Sequence, residues 1–153
     1  MTFELLSPAN VEKYIQYLKT AVAQEPDMML IDHIDENAIR DRIDDSFYQS
    51  KKSILAIQKG EVIGRIEYHF YGCLQDGYRM AYVDWVYVLK SYRHNGVAQG
   101  LFREFEKDCT NNSINQYYLF RATNDEAERF YKSFKDAELN DQPVLRKTMS
   151  EDL

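Results

Sequence analysis

The fold is decided by residues 82–100, which run Tyr82-Val83-Asp84-Trp85-Val86-Tyr87-Val88-Leu89-Lys90-Ser91-Tyr92-Arg93-His94-Asn95-Gly96-Val97-Ala98-Gln99-Gly100. An apolar strand ends at about Leu89, a basic polar turn follows, and a helix opens on Gly96. The first N–H groups of a helix have no partner within it, and the macrodipole makes that end positive. A phosphate binds there if the backbone can come close, which Gly96 permits. The stretch therefore predicts an anion site, and the alternative is a glycine that only eases a tight turn.

On both sides of this junction, strand and helix periodicities alternate. Strands are predicted over 2–6, 53–58, 61–71, 78–89, 115–122 and 143–149, and helices over about 8–24, 35–47, 96–111 and 124–135. Ser7 is the predicted cap of the first helix and Asp35 that of the second. The order is β-α-α-β-β-β-α-β-α-β, and a further short strand near 137–139 is left open. This predicts a mixed α/β (α+β-like) fold, with a central sheet of six to seven strands flanked by about four helices.

Length, composition and charge limit the class of protein. The 153 residues suit a single domain, 1–153, with a substantial core. Apolar residues make up 44% and charged residues 29%, which is typical of a globular protein and excludes a disordered chain. The net charge is −6, and an acidic chain binds nucleic acid poorly because that affinity comes largely from Lys and Arg contacts to phosphate. We therefore expect no nucleic-acid partner.

The cysteines and the N-terminus bear on cofactors and location. Cys73 and Cys109 have no second pair and no nearby histidine, so we expect two reduced thiols and no metal site. Residues 1–6 lack the basic and apolar regions of a signal peptide. No apolar run reaches the roughly 20 residues needed to cross a bilayer. The expectation is a cytoplasmic protein without a membrane partner.

Two motifs resemble those of the GNAT superfamily of N-acetyltransferases. Residues 93–98, Arg93-His94-Asn95-Gly96-Val97-Ala98, match its Arg/Gln-x-x-Gly-x-Gly/Ala signature, after an apolar strand and at the opening of a helix. Residues 124–131, Asn124-Asp125-Glu126-Ala127-Glu128-Arg129-Phe130-Tyr131, resemble its Asn-x-x-Ala-x-x-hydrophobic-Tyr motif. Where the family commonly has Gly-Phe shortly afterwards, this chain has Lys135-Asp136-Ala137, a departure that bears on where the late strand begins. The order and spacing of the two motifs imply a GNAT-type fold.

The resemblance implies acetyl-CoA as the cosubstrate. Its pantetheine arm would pair like an extra strand with the backbone of Val86, Tyr87 and Val88, and strand splaying there would leave an N–H for the oxyanion. A cofactor contact of Asn124, beside its role as a helix cap, is implied in the same way. The pyrophosphate would lie at the turn and first helical residues, namely Arg93, His94, Asn95, Gly96, Val97, Ala98 and Gln99.

Tyr131 is the candidate general acid, since it occupies the tyrosine position of the second motif. A phenol, with a pKa ordinarily near 10, can protonate a departing thiolate. A positioned general acid typically contributes about 10²–10⁴-fold. The alternative is a tyrosine that only packs on its helix.

Two carboxylates are candidates for the general base that takes the proton of the attacking amine. Asp84 is the one ionisable residue in the apolar run 81–89, and strict alternation places it on one face with Tyr82, Val86 and Val88. Glu67, on the neighbouring run, is the rival. Either carboxylate could instead be structural, and a water relay is a third option.

An acidic segment, residues 25–45, bears on the acceptor. In the family the first two helices and their connection border the acceptor site, so a negative rim there would attract a cationic amine such as a polyamine, an aminoglycoside or a basic peptide. The alternative is a solvated acidic surface. Met28, Met29, Tyr48 and Tyr68 are candidates for apolar walls. Against two arginines the segment has eight carboxylates, namely Glu25, Asp27, Asp32, Asp35, Glu36, Asp41, Asp44 and Asp45.

The leading hypothesis is an acetyl-CoA-dependent N-acetyltransferase that moves an acetyl group to the primary amine of a small cationic molecule or peptide, by direct attack on the thioester. The alternative is a non-catalytic CoA-sensing or protein-interaction module with the same fold. A flavodoxin-like nucleotide binder fits the helix terminus but not the consecutive hairpin strands from Ser53. A homodimer stays open, because members of the family often dimerise.

Overall fold

The computed structural model describes residues 1–29, 31 and 33–149, and it divides the chain into two compact units, Met1–Phe120 and a second that begins at Arg121. The first unit contains a five-stranded sheet. That residues 1–153 form one domain stays a prediction from the sequence.

The elements alternate as a mixed α/β fold, which confirms the predicted fold class. The described residues have five strands rather than six to seven. Single 3₁₀ turns lie at Ser46–Tyr48 and Lys90–Tyr92. The strands are β1 (Thr2–Leu5), β2 (Lys51–Gln58), β3 (Glu61–Gly72), β4 (Arg79–Val88) and β5 (Gln116–Tyr118), and the helices are α1 (Val11–Gln24), α2 (Pro26–Met29), α3 (Glu36–Asp44), α4 (Val97–Asn111) and α5 (Asp125–Lys132).

The sheet has strand order β1-β2-β3-β4-β5. The pairs β1–β2, β2–β3 and β3–β4 are antiparallel, and the pair β4–β5 is parallel. Helix α4 packs on one face, where the rings of Tyr68 and Phe105 lie 4.7 Å apart. Helix α1 packs on the other, where the Tyr17 hydroxyl donates to the Tyr87 carbonyl at 2.9 Å. Because side chains alternate along a strand, the odd residues of β3 from Arg65 face α1 and the even residues face α4.

Helix boundaries follow the capping residues, with one correction. Asp35 caps α3, since its Oδ1 accepts from the Ala38 N–H at 3.0 Å, as predicted. Ser7 is not the cap of α1, which begins three residues later than predicted. The Asn10 side chain instead accepts from the Ser7 N–H at 2.9 Å and holds residues 8–10 in a turn before the helix.

The predicted last strand, residues 143–149, is not a strand in the structure. Leu145 is 90% exposed. A β-prone run needs a partner strand to satisfy its backbone, and none of the described residues pairs with it. The strand predicted over 115–122 is likewise shorter, since β5 has three residues.

No helix within the described residues combines the length and apolar content needed to span a membrane. The same residues hold no group of three or more His, Cys, Asp or Glu side chains placed to bind a metal ion.

Candidate functional site

The edge of β4 that faces away from β3 is open over its second half. β5 pairs with β4 only at Met80–Tyr82, and beyond that point no strand among the described residues joins this edge. The Leu89 N–H bonds to the Ile63 carbonyl of β3 at 2.9 Å. The alternation of an antiparallel ladder then directs the backbone groups of Val86 and Val88 to the open edge, where the Val88 carbonyl accepts from Arg93 Nε. An extended ligand can pair there like an added strand.

A β-bulge at Asp84 changes which face each side chain of β4 occupies. The register pairs Tyr68 with Val83 and Glu67 with Trp85, so Asp84 is the extra residue. Asp84 shares the α1 face with Tyr82, as predicted. Val86 and Val88 pair with even-numbered residues of β3 and therefore lie on the α4 face. The prediction that Asp84 shares a face with them is therefore wrong, because strict alternation assumes that no residue is inserted.

The N-terminus of α4 lies at a glycine in the left-handed conformation. Gly96 precedes Val97 with a φ of +75°, in the left-handed region, and supplies no side-chain cap to the helix. A Cβ added at Gly96 would meet no heavy atom within 4 Å. His94, two residues earlier, also has a positive φ, of 61°, which makes the turn tight. N–H groups without a side-chain cap, next to a glycine with open space around its Cβ position, fit a pyrophosphate group.

Arg93 ties this turn to the end of α1. Its Nη2 forms a short contact with Glu25 Oε2, its Nη1 lies 3.2 Å from Oε1, and its Nε donates to the Val88 carbonyl at 3.1 Å. The Tyr87 hydroxyl also donates to Glu25, at 2.7 Å. The hydrogen bonds from Arg93 hold the pKa of Glu25 below its usual value, against the raising effect of burial. The part of Arg93 in binding the pyrophosphate stays a prediction.

Asp84 belongs to a cluster with two residues that were not predicted. Its Oδ2 lies 2.8 Å from Nδ1 of His69, and its Oδ1 accepts from Lys51 Nζ at 2.5 Å. Lys51, His69 and Tyr82 are opposing residues on β2, β3 and β4, and the bulge brings Asp84 into their row. Cross-strand register is the signal that identifies this cluster.

Glu67, the rival carboxylate, is held by other partners on the same face. Its Oε2 accepts from Arg65 Nη1 at 3.2 Å and from Ser53 Oγ at 3.1 Å. Arg65 is 8% exposed, and its Nε and the Nε1 of Trp85 are buried without a hydrogen-bond partner among the described residues. Glu67 is thus bound to a buried guanidinium, whereas Asp84 is bound to an imidazole and an ammonium group.

Two predicted residues lie in the second unit, on α5. Asn124 caps this helix as predicted, since its Oδ1 accepts from the Ala127 N–H at 2.9 Å. The Tyr131 ring centre lies 5.3 Å from that of Phe130 and 6.1 Å from that of Phe134. Burial raises the pKa of Tyr131, so the phenol is protonated at neutral pH but is a weaker acid than a free tyrosine. The general-acid role of Tyr131 and the cofactor contact of Asn124 stay predictions.

Several carboxylates of the acidic segment have structural partners. Glu36 pairs with Lys19 at 2.8 Å and with Arg40 at 3.2 Å, and the Asp45 side chain accepts from the Phe47 N–H. Asp32 lies outside the described residues. The carboxylates that remain exposed include Asp27, Asp41 and Asp44.

Tyr68 was predicted to form part of an apolar wall at the acceptor site, and this prediction is wrong because the residue is buried. It is 0% exposed, and its hydroxyl donates to Asp108 of α4 at 2.6 Å. Met29 is also buried in the core, whereas Met28 and Tyr48 are exposed.

Comparisons with known proteins agree with this architecture. The Acetyltransferase (GNAT) family matches residues 14–135. No curated protein matches the chain closely enough in sequence to count as a relative.

Solved structures resemble the chain in fold at low sequence identity. A ribosomal-protein-alanine N-acetyltransferase from Brucella melitensis biovar Abortus 2308 is 16% identical with a TM-score of 0.73, covering 96% of this chain and 100% of that one. An aminoglycoside acetyltransferase from an uncultured soil metagenomic sample, in complex with sisomicin, is 15% identical with a TM-score of 0.81, covering 97% and 96%. A Trypanosoma brucei acetyltransferase is 13% identical with a TM-score of 0.68, covering 94% and 99%. Since the family match extends over most of the chain and the fold agrees with it, the chain belongs to the GNAT family of acetyltransferases, which use acetyl-CoA as cosubstrate.

Proposed function

We propose that the chain is an acetyl-CoA-dependent N-acetyltransferase that acetylates a primary amine of a small cationic molecule or peptide by direct attack of the amine on the thioester. One observation carries the proposal: the uncapped N-terminus of α4 at Gly96 and the open β4 edge at Val86 and Val88 occur together in the first unit. The first suits a pyrophosphate and the second suits an extended arm with amide groups. Coenzyme A carries both.

The chain would contribute mainly backbone groups to binding and side chains to proton transfer. When bound, acetyl-CoA supplies the activated acetyl group. The amides of residues 94–99 hold its pyrophosphate, and an N–H on the open edge of β4 stabilises the negative charge that develops on the carbonyl oxygen. Asp84 and Glu67 are the two carboxylates predicted from the sequence as candidates for the base, and Tyr131 is the proposed donor to the leaving sulfur.

The acceptor class rests on charge and on the similar structures. The exposed Asp27, Asp41 and Asp44 favour a cationic ligand near α2 and α3. Similar structures carry the names of an aminoglycoside acetyltransferase and a ribosomal-protein-alanine N-acetyltransferase, which supports a small-molecule or peptide amine. A homodimer, a cytoplasmic location and the lack of nucleic-acid and membrane partners stay predictions from the sequence.

The test is release of free CoA from acetyl-CoA with a broad panel of amines. We expect turnover with at least one cationic amine, and Tyr131→Phe should lower kcat by about tenfold or more, since a general acid contributes about 10²–10⁴-fold. Tyr78→Phe, in the exposed turn before β4, is the matched control and should leave kcat unchanged.

Two outcomes would contradict the proposal. Calorimetry that shows tight acetyl-CoA binding without acetylation of any amine would favour the non-catalytic CoA-sensing module. An absence of affinity for acetyl-CoA and CoA would remove the cosubstrate site itself. Unchanged turnover in Tyr131→Phe would remove only Tyr131 from the mechanism.

A further inference from the structure

The cluster of Lys51, His69 and Asp84 meets at one imidazole nitrogen. Within the described residues, both polar neighbours of His69 lie at Nδ1: Asp84 Oδ2, which can only accept, at 2.8 Å, and Lys51 Nζ, which can only donate, at 3.1 Å. Because Lys51 makes its shorter hydrogen bond to Asp84 Oδ1, at 2.5 Å, we assign the proton to Nδ1, which then donates to Asp84 Oδ2. Nε2 is then the unprotonated nitrogen of the neutral ring, with its lone pair available.

His69 lies level with the point where β4 opens. Its partner in the register is Tyr82, the last residue of β4 that pairs with β5, and Asp84 follows two residues later. The His69 side chain is 26% exposed and that of Asp84 is 19% exposed, so both are only partly shielded from solvent.

The groups that face His69 come from three strands. They are Lys51 from β2, Glu67 and Tyr71 from β3, and Asp84 and Tyr82 from β4, with the rings of Tyr71 and Tyr82 at 5.9 and 5.7 Å from the imidazole. Both oxygens of Asp84 are engaged, by Lys51 and by His69. An imidazole whose Nδ1 is fixed by a carboxylate is an arrangement that serves as a general base, since the carboxylate sets the tautomer and stabilises the imidazolium that forms.

We propose that His69 is the base that removes the proton from the acceptor amine, and that Asp84 is a positioning residue that acts through it. The inference rests on the proposed amine acetylation. His69 Nε2 takes one proton from the ammonium form of the acceptor. The neutral amine nitrogen then forms a bond to the thioester carbon, the carbon–sulfur bond breaks, and the sulfur leaves with the electron pair. As the amide forms, the nitrogen loses its second proton to water, and the sulfur takes one proton from its donor, which regains one from water. The imidazolium returns its proton to water.

The first test is kinetic, with an amine that the wild-type protein acetylates. We expect His69→Gln to lower kcat by about 10²-fold or more, with little change in KM for acetyl-CoA, and to remove the acidic limb of the pH–rate profile. Added imidazole should restore activity to His69→Ala in proportion to its free-base form. Asp84→Asn should lower kcat, whereas the control Asp76→Asn, in the exposed turn between β3 and β4, should not.

The second test needs no turnover and covers the case in which a variant at position 69 fails to fold. Nitrogen-15 NMR of the wild-type protein at alkaline pH should show His69 as the Nδ1–H tautomer, and Asp84→Asn should lose this preference.

The outcomes separate this inference from the proposed function. Wild-type acetylation with unchanged kcat and an intact acidic limb in His69→Gln would overturn the role of His69 alone, as would an Nε2–H tautomer. A wild-type protein that acetylates no amine would overturn both.

Discussion

At Gly96, the backbone conformation of one residue should affect how tightly the cosubstrate binds. Its φ of +75° lies where L residues are strained, yet there is open space where a side chain would be. Gly96→Ala should therefore act through the backbone, at a cost of about 1–2 kcal/mol. If the turn relaxes, the N–H groups of α4 shift, and KM for acetyl-CoA should rise several-fold. Thermal unfolding and steady-state kinetics measure the two effects.

Gly60→Ala is the matched control for Gly96. Gly60 lies in the hairpin between β2 and β3, with a φ of +82° and equally open surroundings. It should lose a similar amount of stability with no change in KM. An equal rise of KM in both variants would mean that Gly96 acts only through stability.

The two cysteines should differ in reactivity. Cys73 is exposed, whereas Cys109 is buried, and burial raises the pKa of its thiol to about 12. Because the thiolate is the nucleophile, iodoacetamide at pH 8 should label Cys73 alone in the folded protein and both residues in urea, as measured by mass spectrometry. Labelling of Cys109 at the rate of Cys73 without denaturant would contradict its burial.

At the scale of elements, β1 and α4 meet at one close contact. A Cβ added at Gly100 would lie 2.4 Å from Cζ of Phe3, so Gly100→Ala forces the ring to move. We expect overpacking to cost about 1–3 kcal/mol in chemical denaturation. Adding Phe3→Leu should recover part of that loss, and strictly additive effects of the two substitutions would show that the ring does not cause it.

Local signals predicted most of the elements, and long-range ones explain what was missed. The caps Asp35 and Asn124 follow from residues within a few positions of each other. Cross-strand pairing is not local: the bulge at Asp84 and its contacts with His69 and Lys51 depend on the register of β3 against both neighbours. The prediction of a strand over residues 143–149 was wrong for the same reason, because strand propensity does not guarantee a partner strand.

For the whole molecule, Asp108 links the helix layer to the sheet. It accepts from Lys52 of β2 at 2.8 Å and from Tyr68 of β3 at 2.6 Å. Burial works to raise the pKa of Asp108, but these hydrogen bonds outweigh it and lower the value. A carboxyl whose pKa is lower in the folded than in the unfolded state, where it is about 3.9, contributes stability above that pH and loses it as the pH falls further.

Asp108→Asn should therefore lower the free energy of unfolding at pH 7. As the pH falls from 5 to 3, the free energy of unfolding should also decrease less in the variant than in the wild-type protein. Urea unfolding at a series of pH values measures both. Some decline should remain, because the pKa of Glu25 is lowered in the same direction by Arg93. A variant that declines as steeply as the wild-type protein would show that Asp108 does not couple folding to acid.

The extra residue in β4 also governs how this chain is compared with its relatives. Suppose that the chain is aligned without a gap to a strand that lacks the insertion. If residues 85–88 are matched correctly, the side chains of residues 79–83 are each assigned to the wrong face of the sheet. If residues 79–83 are matched instead, the side chains of residues 85–88 are assigned to the wrong face. Where a relative lacks the extra residue, the gap belongs at position 84, and residue roles can be transferred from that relative to Tyr82 or Val86 only once the offset has been applied.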